Sequence, residues 1–89
     1  MDLSEIRDNI ADIEDILFTG CFNESVIRSD LSIRREKRDF YIDSFNRYID
    51  VLRTISNSME LRLQDAALAE KSKKCQKEAS RLLDIIYEY

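Results

Sequence analysis

Apolar residues recur three and four positions apart over most of this chain, the spacing of one face of an α-helix. The first run is Leu3, Ile6, Ile10, Ile13 and Leu17. The second run is Tyr41, Phe45, Tyr48, Leu52, Ile55 and Met59. The third run is Leu68, Ser72, Cys75, Ala79, Leu82, Ile86 and Tyr89. Because the chain has no proline and one glycine, it lacks the turn residues that many short strands need. We therefore predict an all-α fold.

Local signals predict three helices at about 3–19, 25–56 and 59–88. Asp2 with Glu5 three positions later forms a capping-box pattern at the first helix start. Gly20 stands where a helix commonly ends with a left-handed residue. The second and third apolar runs are out of phase across Ser56 to Ser58, which favours a turn there. The alternative is one unbroken helix with a stutter, and a further break near Ser29 to Ser32 is open.

The 89 residues are expected to form one domain over 1–89, because small domains cluster near roughly 100 residues. We predict that the short first helix packs on a long antiparallel hairpin made by the other two. The four-residue link after it predicts that this helix turns back beside residues 26–43. The hairpin tip, residues 44–71, is then expected to be uncovered.

That tip carries more large apolar side chains than two facing helices bury, and an exposed apolar patch usually marks a partner site. The predicted partner interface comprises Phe45, Tyr48, Ile49, Leu52, Ile55, Met59 and Leu63. It predicts either a homodimer that forms a four-helix bundle at the tips or a hetero-oligomer with a partner's helix. In the alternative, the first helix tilts across the whole face of a monomer.

The net charge of −4 argues against a dedicated nucleic-acid binder, because phosphate neutralisation usually leaves a basic balance. Charges are nevertheless segregated, with an acidic first helix and a basic block over residues 28–38. In the predicted hairpin the basic block comes level with the lysines of the third helix. A possible phosphate-contact patch then comprises Arg34, Arg35, Arg38, Lys73, Lys74 and Lys77.

The chain contains no histidine, which removes Ser–His and Cys–His nucleophile pairs and histidine metal sites. We therefore expect no enzymatic activity, and we predict no catalytic, cofactor or metal site. Cys21 and Cys75 are predicted to lie too far apart in the hairpin for a disulfide, and Cys75 to be a small core residue.

No stretch is apolar enough to cross a membrane, and no signal-peptide pattern opens the chain, so a cytoplasmic protein is expected. The leading hypothesis is a small acidic interaction module, such as an adaptor, an assembly chaperone or a regulator. It self-associates or holds a partner helix at the apolar tip. Two alternatives are a nucleic-acid-binding regulator that uses the basic patch and a structural subunit of a larger assembly.

Overall fold

A computed structural model describes residues 2–20 and 22–89, and it contains helices and no strand within those ranges. The helices are α1 Leu3–Phe18, α2 Glu24–Ile33, a 3-10 turn at Arg35–Lys37, α3 Arg38–Ser56, α4 Met59–Gln64 and α5 Ala66–Tyr87. The all-α prediction is confirmed. The division into three helices is not observed, because each of the two long predicted helices is split.

The two longest helices, α3 and α5, form the antiparallel pair at the centre of the fold. At one end, Arg38 Nη2 donates to the carbonyl oxygen of Tyr87 at 3.4 Å. Near the other end, the hydroxyl of Ser72 donates to the carbonyl oxygen of Leu52 at 2.9 Å. Ser72 is completely buried, so this bond supplies the partner that water cannot.

Helices α1 and α2 follow one another along α5 and run parallel to it. The residue numbers of contacting pairs rise together along the two parallel helices. Arg7 of α1 pairs with Asp65, the cap of α5, at 3.4 Å, and Glu14 of α1 pairs with Lys71 of α5 at 3.3 Å. Further along, the Lys74 ammonium lies 5.8 Å from the centre of the Phe18 ring, and Glu24 pairs with Arg81. The prediction that the chain folds back between the first and second helices is therefore wrong. Helix α2 continues in the direction of α1.

The link between α1 and α2 explains this continuation. Its amides bond back onto the last turn of α1, with Thr19 and Gly20 both donating to the carbonyl of Asp15 and Phe22 to that of Ile16. Gly20 has no positive φ, contrary to the predicted left-handed cap. A Cβ at this position would lie 2.9 Å from the Asp15 oxygen, so the glycine permits a close backbone approach.

Asn23 caps the start of α2, because its side-chain oxygen accepts a hydrogen bond from the amide of Val26 at 3.0 Å. The chain reverses after Ile33, slightly beyond the predicted break at 29–32. Ile27 and Leu31 are buried, and continuing their stripe would carry the arginines of residues 34–38 into the core. The reversal is fixed by Asp30, which accepts the Tyr41 hydroxyl at 2.7 Å and lies 4.0 Å from the Lys37 ammonium.

The turn predicted at residues 56–58 is present, so the single stuttered helix is excluded. Ser58 caps α4 by accepting the amide of Leu61 at 3.2 Å, and Asp65 caps α5 by accepting that of Leu68 at 3.0 Å. The third predicted helix, 59–88, is thereby split at Asp65. Arg62 Nε also donates to the carbonyl of Ser56 at 2.9 Å, which ties α4 to the end of α3.

The buried side chains form two clusters along the rod. The smaller cluster joins α1 to the hairpin tip and comprises Ile6, Ile10, Ile55, Leu61, Leu68 and Ala69. The larger one continues from Ile13 and Leu17 to the far end, where the Phe22 ring lies 5.2 Å from Tyr41 and 5.6 Å from Phe45. Helix α1 therefore covers the tip, and not residues 26–43 as predicted.

Arg81 holds α2 against α5 by donating to the carboxylates of Glu24 and Glu78. The hydrogen bond from Arg81 is the main cause that lowers the pKa of Glu24 from its ordinary value. A carboxylate with a lowered folded-state pKa stabilises the fold above its unfolded pKa, and this contribution is lost as pH falls through the folded value.

We expect the pKa of Glu24, measured by carboxyl-carbon NMR titration, to rise in Arg81→Met, which keeps most of the apolar stem. Arg28→Met is the matched control, since Arg28 also bonds Glu24 but has a smaller influence on its pKa. We further expect the midpoint temperature of thermal unfolding to fall less in Glu24→Gln than in the parent when the pH is lowered below about 4.3. An unchanged Glu24 titration in Arg81→Met contradicts this assignment.

The close backbone approach at Gly20 predicts that Gly20→Ala destabilises the protein by about 1–3 kcal/mol, the usual cost of steric overpacking. The clash is with backbone atoms of Asp15 and Ile16, which cannot rotate away. Urea unfolding measures the change. Asn57→Ala is the control, because Asn57 is exposed in right-handed helical geometry, and we expect a change within about 0.5 kcal/mol. A Gly20→Ala variant as stable as the parent would disprove the steric argument.

Candidate functional site

The predicted partner interface is mostly core. Phe45 and Leu52 are completely buried, and Ile49 and Ile55 are nearly so. Helix α1 shares the smaller cluster with Ile55 and the larger one with Leu52, whereas the Phe22 ring lies 5.6 Å from that of Phe45. Tyr48 is half-buried, and its ring lies 6.0 Å from that of Phe45. The premise that these side chains are uncovered is wrong. The physical reason is the position of α1, which begins at the tip and runs parallel to α5.

Met59 and Leu63 are the two predicted interface residues that face outward. They lie one turn apart on α4 and are 68% and 86% exposed. Leu61, midway between them, points into the smaller cluster, so the helix period directs its two neighbours away from the bundle. Leu3, Glu60 and Gln64 line a shallow groove at the foot of α4. We call Met59 and Leu63, with the neighbouring carboxylate of Glu60, the tip surface.

A second apolar surface, which the sequence analysis missed, lies on α2. Val26 and Ile33 are 40% and 79% exposed and lie seven residues apart, so they share one helix face. They border an open groove of about 480 Å³, which is lined by Ser25, Val26, Ser29, Asp30, Ile33 and Arg34. The sequence does contain a signal for this exposure. Val26 and Ile33 are out of helical phase with the buried stripe that contains Ile27 and Leu31. We call this surface the α2 groove.

The six predicted phosphate-contact residues do not form one patch. Arg38 lies at the end of α5, with its guanidinium carbon 5.5 Å from the centre of the Tyr87 ring. Lys77 lies ten residues before Tyr87 on α5, which separates the two by roughly 15 Å along the helix axis. Lys73 and Lys77 lie together on one face of α5, whereas Lys74 points toward Phe18 of α1. The predicted pairing of Arg38 with Lys77 is wrong because residues 59–64 form the separate helix α4. Helix α5 therefore begins later than the prediction assumed, and Arg38 lies beside Tyr87.

Arg34 and Arg35 are exposed at the α2 groove end of the molecule. Residues 28–38 contain five cationic side chains and two carboxylates, a net charge of +3. At the opposite end, residues 2–8 and 58–65 contain five carboxylates and two arginines, a net charge of −3. These two sets of residues therefore carry net charges of opposite sign, although Asp39, Asp84 and Glu88 lie near the basic set, where Arg38 contacts Tyr87.

Within residues 2–20 and 22–89, no three cysteine or carboxylate side chains lie close enough together to hold a metal ion. Cys75 is completely buried in the larger cluster, as predicted, and burial raises the pKa of its thiol. The predicted lack of a disulfide with Cys21 falls outside the described residues. Across those residues, no helix combines the length and apolar character needed to span a bilayer.

No protein-family model matches this chain, and no curated protein or solved structure matches it either. The comparisons therefore assign neither a family nor a function.

The burial pattern predicts opposite outcomes for two leucines that the sequence alone treats alike. We expect Leu52→Ala to lower the free energy of unfolding by about 2–5 kcal/mol, because it opens a cavity in the core. We expect Leu63→Ala, at an exposed site, to change it by no more than about 0.5 kcal/mol. Urea unfolding of both variants measures this difference, and equal effects would contradict the placement of α1 over the tip.

Proposed function

We propose that this chain is a small protein–protein interaction module of the cytoplasm that binds its partner through the tip surface. The observation that carries the proposal is the exposure of Met59 and Leu63 on a helix anchored by Leu61 on its other side. Single exposed apolar residues are ordinary on protein surfaces. Two adjacent ones at the end of the molecule form a compact apolar contact point beside the Glu60 carboxylate.

The structure of α4 supports a binding role. A six-residue helix is too short to be stable by itself, so tertiary contacts must hold it in place. Those contacts are the Ser58 cap, the Arg62 bond to Ser56 and the buried Leu61 side chain. They present Met59 and Leu63 in a fixed geometry, which lowers the entropy cost of binding.

The small size of the tip surface favours a transient adaptor or regulator over a permanent structural subunit. Two exposed side chains offer far less area than the 2,000 Å² or more, roughly, that permanent assemblies bury. A transient adaptor or regulator is therefore better supported than a structural subunit. The nucleic-acid-binding alternative has less support, because Arg38 and Lys77 lie far apart along the rod.

Site-specific photo-crosslinking tests the proposal. We expect benzoylphenylalanine at position 63, introduced into the protein at its native level in cells, to give a discrete crosslinked product. The same probe at position 47 is the control, since Arg47 is exposed on α3, away from the tip surface. Mass spectrometry identifies the attached chain. If position 63 gives no product beyond those from position 47, the tip surface is not a binding site.

A further inference from the structure

We infer that this chain can form a domain-swapped dimer through the junction between α2 and α3, residues 34–37. In that state the arm, which consists of α1 and α2, leaves its own α3–α5 pair and packs on that of a second copy. The junction straightens, so that α2 and α3 become one helix over residues 24–56. This state goes beyond the proposed function, because it depends on the junction and not on the tip surface.

The junction lacks the side-chain cap that the other helix starts have. Helices α1, α2, α4 and α5 each follow a residue whose side chain accepts a backbone amide. Neither the 3-10 turn nor α3 has such a cap. Arg38 Nε, at the start of α3, is also buried with no hydrogen-bond partner among the described residues. The amides of an uncapped helix start gain partners when the helix continues through it.

A small change of backbone geometry straightens the junction. Arg34 leaves helical geometry, with φ −125° and ψ 70°, whereas Lys37 and Arg38 are already right-handed helical. The four junction residues are arginine, arginine, glutamate and lysine, which are all good helix formers. Rotation at Arg34 therefore converts the reversal into the single helix that the sequence predicts over residues 25–56.

The buried residues of α2 and α3 fall on one face of such a straight helix. Ile27 and Phe45 are completely buried and lie eighteen residues apart, which is about five turns. Leu31 and Tyr41 fall within about 40° of that line on either side. The α2 half of the face packs on the second copy while the α3 half stays on its own α5. Arg34 then lies between the two bundles and enters neither core.

The apolar face of the arm selects a second copy as its partner. The arm buries six large apolar side chains, and an open arm would expose all of them to water: Ile6, Ile10, Ile13, Leu17, Ile27 and Leu31. The α3–α5 pair of a second copy receives them in the contacts that the monomer makes. The ion pairs of Glu14 with Lys71 and of Glu24 with Arg81 likewise re-form between copies.

Protein concentration decides between the two states. The arm makes the same contacts in both, so the dimer differs from the monomer by the straight junction and by the entropy cost of association. The monomer therefore dominates in dilute solution and the dimer in concentrated solution. A two-fold axis at the junction places the bundles end to end, which makes the dimer about twice as long as the 44 Å monomer.

Refolding from urea at two concentrations tests this inference. Light scattering after size exclusion should show a dimer when the parent is refolded at about 1 mM and a monomer at about 0.01 mM. Small-angle X-ray scattering should give a dimer about twice the monomer length. The decisive sample is a dimer refolded from equal amounts of carbon-13-labelled and unlabelled chains. An isotope-filtered nuclear Overhauser effect should join Phe22 of one copy to Phe45 of the other, rings that lie 5.6 Å apart within the monomer.

Two variants at position 35 test the straight junction. Proline fits the first position of the 3-10 turn, and the extended Arg34 before it suits a proline. Within a straight helix, proline loses a hydrogen bond and clashes with the preceding turn. We therefore expect Arg35→Pro to lower the dimer fraction by roughly tenfold or more. Arg35→Ala is the matched control, because it removes the same side chain and keeps helix propensity, and it should dimerise at least as well as the parent.

Circular dichroism and urea unfolding of the dilute monomers check that both variants fold. The inference is overturned if the parent remains a monomer at about 1 mM, or if a folded Arg35→Pro dimerises like the parent. A dimer with no contact between Phe22 of one copy and Phe45 of the other also overturns it, because its copies would associate through their surfaces.

These outcomes are separate from the crosslinking test of the tip surface. A discrete crosslink from position 63 with a monomeric parent would support the proposed function and remove the exchanged dimer. An exchanged dimer with no specific crosslink from position 63 would support the dimer and remove the tip surface as a binding site.

Discussion

The paired helices α3 and α5 leave an apolar groove along their length. Helices α1 and α2 cover this groove, and the rest of the structure depends on how they do so. Helix α1 ends at Phe18, whose ring lies beside the Lys74 ammonium. Helix α5 continues to Tyr87, roughly 20 Å further along its axis, so α1 alone leaves that part of the groove open to water. The chain closes it by placing α2, about 15 Å long, in line with α1. Gly20 permits this alignment, because only a residue without a side chain fits against the last turn of α1.

This arrangement decides which apolar residues remain outside. Once α1 covers the tip, Leu52 and Ile55 become core, whereas the outer side of α4 and Val51, which is 44% exposed, remain at the surface there. Once α2 covers the far end, its own outer face carries Val26 and Ile33 to the surface. The same order along the rod puts the acidic start of α1 at one end and the basic block at the other.

The helical stripes, the Asp2 cap and the turn after Ser56 could be read from the sequence, because each depends on neighbours within a few residues. The direction of α2 could not, since it depends on which arrangement buries more surface over the whole chain. The premise that Ile49, Leu52 and Ile55 are uncovered was wrong for this reason. A stripe at helical spacing shows that one side of a helix is buried, but it does not show which other helix buries it.

The residues that carry the candidate surfaces share a property that a stripe-based reading passes over. Ile33 and Leu63 are apolar but out of phase with the buried residues nearest to them, Leu31 and Leu61. An offset of two residues is about 200° around a helix, so such a side chain must face away from its own core. Burial of the in-phase residue then fixes exposure of the other. In this chain, the out-of-phase residues Ile33 and Leu63 are therefore exposed, whereas the continuous stripes are buried.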